Sequence, residues 1–417
     1  MIVAVFVVGY LLIALEEYVK ISKSAIALVT GVLCWTILFL NNPGGDFTHE
    51  LINHLGEIGG ILFFLIGAMT IVEIIDAHEG FSIITQNIKT KNKKILAAII
   101  VILSFFLSAI LDNLTTTIVA ISIILKIIQE PRDKIIFASL IVIAANAGGV
   151  WSPIGDVTTT MLWMGNQITT QVIIKNTFIA ALISVVIPFI ALSFKLKGNL
   201  PNHDEQVSEL NTPKHATLFL TTGIFSLLFV PLFKSITGLP PFMGMLLSLG
   251  MIWLLSEIID RSKDEEERHH TSINHLLKKI DTPSILFFLG ILLAVSALST
   301  AGILNNFSNI LNGLTNNFKN ITMLLGVSSA VIDNVPLMAA AQRMYDLNVF
   351  ATDHPFWLML AYTTGTGGSL LIIGSAAGVA AMGLTKINFM WYLKHISFWV
   401  LIGYLSGWLF LSMTLGS

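Results

Sequence analysis

The chain has 417 residues, of which 54% are hydrophobic and 12% charged, and its mean hydropathy is +0.81. This composition excludes a water-soluble protein, because a soluble chain of this length needs far more polar surface. The formal net charge is −2, and nothing in the chain indicates a nucleic-acid partner. A single cysteine, Cys34, excludes an internal disulfide framework and a Cys-rich metal site. We therefore expect an all-α, polytopic membrane protein without a cofactor.

Apolar stretches close to the roughly 20-residue length that crosses a bilayer recur along the whole chain. The first, Met1 to Leu15, lacks a basic leading region and a small-residue cleavage site. We therefore expect it to be a retained span rather than a cleaved signal peptide. The predicted spans are 2–18, 24–40, 58–76, 134–163, 172–194, 216–233, 240–259, 284–301, 355–384 and 391–412.

Two further apolar segments, 95–128 and 320–345, carry the same short phrase near their middle. It reads Ser-Ala-Ile-Leu-Asp-Asn at 108–113 and Ser-Ala-Val-Ile-Asp-Asn at 329–334. A charge at membrane depth is costly and is usually retained because it handles an ion, a proton or a substrate. Since each half of these segments is short for a span, we predict two re-entrant hairpins. Their tips carry Asp112-Asn113 and Asp333-Asn334, buried in protein or lining a watery cavity.

The basic residues predict an inverted repeat. If both termini lie outside, the outer side keeps only Lys175, Lys234, Lys319 and Arg343 and the cytoplasm receives every other Lys and Arg, which is the expected bias. The hydrophilic stretch 195–214 divides the chain into halves at 1–200 and 201–417. Each half has five spans and one hairpin, so the second half is inserted upside down relative to the first.

A span with an interruption follows each hairpin, at 134–163 and at 355–384. Paired glycines, and Pro153 in the first, remove helix propensity and a backbone donor. Interrupted spans at matching positions of two halves indicate the binding site of a transporter. Hydroxyl, amide and carboxylate oxygens are also the ligands that hard cations prefer. The candidate ligands are Asp112, Asn113, Asn146, Ser152, Asp156, Thr159, Asp333, Asn334, Thr366, Ser369 and Ser375.

Structural interpretations of these residues remain open. The carboxylates could cap helices, and the asparagines and the threonines of 158–160 could only satisfy opened backbone. Asp156 follows a Pro-Ile-Gly turn, as an N-cap would. Glu73, Asp76 and His78 could mark a helix end that faces water, which is the commoner reason for such residues. The alternative is that they form a proton relay. All four arginines are expected in loops, so no interior arginine is available to bind an anion.

The chain resembles the NhaD-type sodium/proton antiporters of the ion transporter superfamily over essentially its whole length. The resemblance is most specific at Asp112-Asn113, at Asp333-Asn334, from Asn146 to Trp163 and from Thr366 to Gly378. It implies export of Na⁺ or Li⁺ in exchange for protons, an ion site formed by both hairpin tips and both interrupted spans, and a homodimer in the cell (inner) membrane. Superfamily relatives that carry dicarboxylates typically have Ser-Asn-Thr at the tips, whereas here Asp replaces that Ser.

The sequence hypothesis is antiport by competition between a cation and a proton at membrane-embedded aspartates, with Na⁺ or Li⁺ as substrate at Asp112, Asn113, Asp333 and Asn334. One alternative is an exporter of a neutral or anionic solute, such as arsenite or a dicarboxylate, on the same fold. Another is an intramembrane aspartyl protease, but Asp156 lacks the first glycine of the Gly-x-Gly-Asp phrase that such an enzyme needs. We therefore expect a transporter and not an enzyme.

Overall fold

The computed structural model describes residues 1–41, 47–86, 88, 90–200, 215–261, 271–315 and 317–415. Within these ranges the chain is helical and contains no strand. The predicted dividing stretch 195–214 and the charged loop 260–280 lie partly outside the described residues, and Lys89 lies wholly outside them.

Eight helices in the described ranges are long and apolar enough to cross a membrane. Seven of them coincide with predicted spans, which confirms a multi-pass membrane protein; the eighth is the first half of a predicted hairpin. The eight are Lys23–Asn41, Thr48–Ala77, Lys93–Leu111, Thr170–Ser193, Ala216–Thr237, Pro241–Asp260, Thr282–Thr300 and Ser397–Thr414. Shorter helices outside the segments described next are Ile2–Ala14, Glu16–Val19, Ser82–Gln86, Ile273–Leu276, Ile303–Leu314 and Phe389–His395.

The first predicted span is shorter than expected. Its helix, Ile2–Ala14, has 13 residues and gives way to a turn at Leu15. At a rise of about 1.5 Å per residue it is about 20 Å long, less than the roughly 30 Å hydrocarbon core.

Each predicted hairpin segment consists of two helices that meet at the Asp-Asn phrase. The first helix pair is Lys93–Leu111 and Asn113–Ile127, joined at Asp112. The second helix pair is Phe318–Ser328 and Asn334–Met344. The prediction that each half of these segments is too short to span the membrane is wrong for Lys93–Leu111, which has 19 residues. The re-entrant insertion of these pairs stays a prediction.

Both predicted interrupted spans are broken helices. The first broken helix ends its first part, Pro131–Gly149, at the paired glycines and resumes as Val157–Met164. The second runs from Pro355 to Gly367 and resumes as Ala376–Thr385 after a 3₁₀ turn. Gly148 is required by packing, because a Cβ there would collide with the backbone carbonyl of Phe105 in the neighbouring helix. The breaks therefore fall where the sequence removes helix propensity.

The two halves exchange elements around these breaks. Val157–Met164 packs against Asn334–Met344, and Ala376–Thr385 packs against Asn113–Ile127. The second part of each broken helix thus contacts the helix pair of the other half. This exchange brings both Asp-Asn phrases and both helix breaks into one region of the protein interior.

Candidate ion-binding site

Asp112 sits at the turn of the first helix pair in a strained conformation. Its φ is +80° and its ψ 163°, a region that glycine normally occupies and that costs another residue about 1–3 kcal/mol. The carboxylate accepts hydrogen bonds from the backbone nitrogen of Thr115 at 2.8 Å and from its hydroxyl at 2.9 Å. Asp112 therefore caps the returning helix, as the structural interpretation held. Strain of this kind clusters at functional sites.

Asn146 links the two halves of the chain through its side chain. Its Oδ1 accepts a hydrogen bond from Asn113 Nδ2 at 2.9 Å. Its own Nδ2 donates to Ser369 Oγ at 2.8 Å and to Ser375 Oγ at 2.9 Å. Asn146 is fully buried, and the other three residues are almost so. The structure therefore brings four of the predicted ligands into one hydrogen-bonded chain.

Asp156 joins this chain from the break in the first broken helix. Asn113 Nδ2 donates to Asp156 Oδ2 at 3.1 Å, and the other carboxylate oxygen accepts from the backbone nitrogen of Thr158 at 3.1 Å. Asp156 is 2% exposed. It is therefore both the N-cap of Val157–Met164 and a direct neighbour of Asn113.

The second Asp-Asn phrase is held by a different set of groups. Asp333 caps its helix by accepting from the backbone nitrogen of Val335 at 3.2 Å. The amide of Asn334 contacts Ser329 Oγ, and one of its terminal atoms lies 3.1 Å from the carbonyl oxygens of both Gly374 and Thr364. Because carbonyl oxygens only accept, that atom is Nδ2. Asn334 therefore satisfies backbone freed at the second break.

The same packing contacts occur in both halves. Ser108 Oγ donates to Ala145 O at 2.6 Å, and Ser329 Oγ donates to Thr364 O at 2.8 Å. By chain position relative to these pairs, Asn146 corresponds to Gly365 in the second half. Asp156 corresponds in the same way to Ser375. These contacts of the framework are thus repeated, whereas the candidate ion-binding groups differ.

Three predicted ligands mainly stabilise local backbone. Ser152 Oγ accepts from the backbone nitrogen of Ile154 at 3.4 Å. Thr159 Oγ1 donates to the carbonyl oxygen of Asp156, and Thr366 Oγ1 to that of Tyr362. Sequence reasoning missed Ser108 and Ser329, although both belong to the repeated phrase, which was their available signal.

The site is negatively charged. Asp112 and Asp333 lie close enough to Asp156 for their charges to repel it. No Lys, Arg or His of the described ranges forms an ion pair with any of the three, and only Lys23 attracts Asp333 at longer range. The first parts of both broken helices also end here with C-termini of partial negative charge, while the three aspartates offset the partial positive charge of the helix N-termini that they cap. Such an arrangement favours a cation.

Two cavities open at opposite ends of the helix Thr48–Ala77. One has about 720 Å³ and is lined by Glu73, Asp76 and Thr115, the residue that donates to Asp112. The other has about 570 Å³ and is lined by Glu57, Gln342 and Arg343. Glu73 and Asp76 thus face a cavity, while His78 is buried against Phe219 and Asp260.

The arginines differ in part from the expectation that all of them lie in loops. Arg132 and Arg343 belong to terminal turns of helices, and Arg343 forms an ion pair with Glu57. Neither forms an ion pair with Asp112, Asp156 or Asp333. Arg132 and Arg343 therefore lie away from the site, and Arg268 lies outside the described residues.

Comparison with known proteins identifies relatives of this chain. Residues 10–351 match the citrate transporter family model. The chain is 45% identical to "Sodium/proton antiporter 2" of Arabidopsis thaliana over 96% of each chain. It is 44% identical to "Sodium/proton antiporter 1" of the same plant over 96% of this chain and 70% of that one. It is 32% identical to "Na(+)/H(+) antiporter NhaD" of Alkalimonas amylolytica over 97% of this chain and 88% of that one.

These matches identify a transporter rather than an enzyme, and they confirm the resemblance that the repeated Asp-Asn phrases and the two interrupted spans suggest. The chain belongs to the family of NhaD-type sodium/proton antiporters, within the wider group that the citrate transporter model describes.

Proposed function

We propose that this protein exchanges cytoplasmic Na⁺ or Li⁺ for external H⁺ at Asp112, Asp156 and Asp333, of which Asp156 is buried and the other two are half-buried. The observation that carries the proposal is the chain Asp156–Asn113–Asn146, in which a buried carboxylate has amide partners but no cationic one. The names of the relatives support sodium/proton antiport as the general activity.

Competition for one negative charge accounts for coupling. A charged carboxylate without a cationic partner is unstable away from water, so it binds either a proton or a cation. Na⁺ bound at Asp112 and Asp156 would take further oxygens from Asn113 and neighbouring hydroxyls. Protonation of the same carboxylates cancels their charge and releases the ion. Each ligand thereby weakens the binding of the other, and the effect is reciprocal.

Of the two cavities, the larger supplies access to the site. The larger one reaches Thr115, whose hydroxyl donates to Asp112, and its wall carries Glu73 and Asp76. On the predicted topology this cavity faces the cytoplasm and admits the cation. The helix pairs and broken helices would move as one block against the remaining helices to expose the site outside. The inverted repeat, the dimer and the outward position of both termini belong to the same proposal.

An anionic substrate is the competing function, because the family model is named after citrate transport. Three carboxylates and no paired cation at the site would repel a tricarboxylate, whereas an anion site needs Arg, Lys or free backbone donors. The geometry therefore favours cation exchange over citrate transport. A neutral solute encounters no such repulsion, so the transport experiment below must distinguish it from a cation.

The proposal is tested with everted membrane vesicles that hold an acidic interior. Adding NaCl or LiCl should dissipate the pH difference for the natural chain, and KCl serves as the comparison. Asp112→Asn, Asp156→Asn and Asp333→Asn should each abolish the response. Asp346→Asn, at an exposed carboxylate away from the site, is the matched control and should retain it.

A natural chain that is present in the membrane but gives no Na⁺ or Li⁺ response at any pH would overturn the proposal. Proton movement driven by citrate or by a neutral solute would then identify the competing function. Retention of full activity by all three Asp→Asn variants would instead refute competition at these carboxylates.

A further inference from the structure

Thr116 and Thr117 are fully buried, yet their hydroxyls have no hydrogen-bond partner within the described part of the chain. They follow the Asp112-Asn113 phrase on the returning helix of the first pair. A buried polar group left unpaired destabilises a fold, so it is usually explained by a ligand or a specific role. Two such hydroxyls side by side therefore need an explanation.

Five other buried threonines inside helices of this protein behave differently. Thr158 also has an unpaired hydroxyl within the described residues, but it lies in the first turn of its helix, where the residue four positions earlier is outside the helix. Threonine hydroxyls in helices usually donate to the carbonyl oxygen four residues earlier. The threonines that do so here, at 2.5–2.7 Å, are Thr30, Thr70, Thr177, Thr364 and Thr366. Thr116 and Thr117 could use the same kind of bond, because the helix continues through both. Local helix geometry thus does not account for their unpaired hydroxyls.

Both hydroxyls lie on the face of the helix that carries Asn113. Residues three and four positions apart are neighbours on a helix surface, about 5–6 Å apart between Cβ atoms. The helix packs against Pro131–Gly149, which carries Asn146, and against Ala376–Thr385, which Ser375 caps. The hydroxyls therefore extend the oxygen-rich region from Asn113 along the returning helix.

The second half of the chain has no counterpart to these hydroxyls. Aligning Asn113 with Asn334 places Leu337 opposite Thr116 and Met338 opposite Thr117. Both counterparts are buried and apolar. A structural requirement of the repeated framework would act on both halves alike, so the difference indicates a role tied to the first half alone.

We propose that the hydroxyls of Thr116 and Thr117 are ligands of the transported alkali cation and set its affinity. This inference rests on the proposed function and deepens it by assigning the cation to the first-half side of the site. The hydroxyl oxygens replace water as the ion is dehydrated next to Asn113 and the carboxylates of Asp112 and Asp156. Neutral oxygens add affinity for the cation without adding a proton-binding group.

The test replaces each hydroxyl by a methyl group of the same shape. In Thr116→Val, Thr117→Val and the double variant, the half-saturating Na⁺ and Li⁺ concentrations should rise, by roughly tenfold in the double variant. Two readouts give this value: dissipation of the pH gradient in vesicles, and the NaCl dependence of the melting temperature of purified protein. The pH dependence should keep its shape, because the carboxylates are intact. Thr116→Ser and Thr117→Ser keep the oxygen and should retain natural affinity.

Thr70→Val is the matched control, because Thr70 is equally buried but donates to Ile66 O at 2.6 Å. It should lower the melting temperature without changing Na⁺ affinity. The Thr116 and Thr117 variants should leave the sodium-free melting temperature unchanged or raise it. Half-saturating concentrations within about twofold of the natural value would overturn the inference and leave the proposed function intact. If the natural chain itself shows no Na⁺ or Li⁺ effect in either readout, both fail together.

Discussion

Replacing Asn146 by alanine should disconnect the two halves of the ion site. Asn146 makes three side-chain hydrogen bonds, one with Asn113 and two with the serines at 369 and 375. Alanine removes all three and leaves the serine hydroxyls without that donor in a fully buried position. Asn113 keeps its bond to Asp156, so the first half retains part of its geometry.

The magnitude follows from the number of lost bonds. Side-chain hydrogen bonds within membranes are worth about 0.6 kcal/mol on average and about 1.7 kcal/mol at most. Three such bonds therefore give about 2 kcal/mol from the average value and about 5 kcal/mol from the maximum. The unpaired buried groups that remain move the expected loss towards the upper value. Part of this loss falls on the candidate ion site, because Asn113 is bonded to the carboxylate of Asp156. We expect a melting temperature several degrees lower and a Na⁺ response near zero.

The assay compares Asn146→Ala with Asn176→Ala in the same preparations. Asn176 makes a single bond, from Nδ2 to Val172 O at 2.8 Å, and lies one helix away from the site. It should lose at most about 1 kcal/mol and keep its Na⁺ response. Asn146→Ala could instead lower the melting temperature no more than this control and transport Na⁺ with unchanged affinity. In that case the hydrogen bonds of Asn146 between the halves do not support Na⁺ binding.

Three further results are expected. Gly148→Ala should prevent the helix Pro131–Gly149 from packing on its neighbour and cost about 1–3 kcal/mol or more. Gly59→Ala, inside Thr48–Ala77 and with nothing within 4 Å, should leave thermal stability unchanged or raise it slightly. Exchanging the charges of the ion pair between Glu57 and Arg343 should change the free energy of unfolding by less than about 1 kcal/mol, because both side chains are partly exposed. The melting temperature should change correspondingly little. Burial lowers the pKa of His354, so its contribution to stability is complete above its unfolded pKa and decreases as pH falls. His354→Asn, which keeps the N-cap, should therefore lose less stability on acidification in a melting-temperature series.

Much of the framework could be predicted because it depends on local chemistry. The helix breaks fall at Gly148-Gly149 and at Gly367-Gly368, where glycine lowers helix propensity in any context. The turn of the first helix pair falls at Asp112, since a short polar residue caps a helix that restarts. The long helices follow from apolar length alone. Each of these features is encoded within a few consecutive residues.

The pairing of side chains across the site could not be read in the same way. That Asn146 reaches Ser369 and Ser375, more than two hundred positions away, depends on how the halves pack. Thr159 and Thr366 have the right chemistry, but their hydroxyls donate to nearby carbonyl oxygens, which hydropathy and motif spacing do not reveal. Whether the hydroxyls of Thr116 and Thr117 find hydrogen-bond partners likewise depends on how their helix packs, which the sequence pattern does not show.

The divergence of the two halves at the ion site follows from their packing. Gly365 occupies the position in the second half that Asn146 occupies in the first. A Cβ at Gly365 would collide with Val150 and lie 3.4 Å from Asp156 Oδ2. An asparagine at both positions would thus place two amides in space that holds one. A repeat whose halves meet at a common centre can therefore keep its framework symmetric, with Ser108 and Ser329 in matching bonds, only if the central side chains differ. The asymmetry concentrates carboxylate, amide and unpaired hydroxyl groups on the first half, where a single cation would be bound.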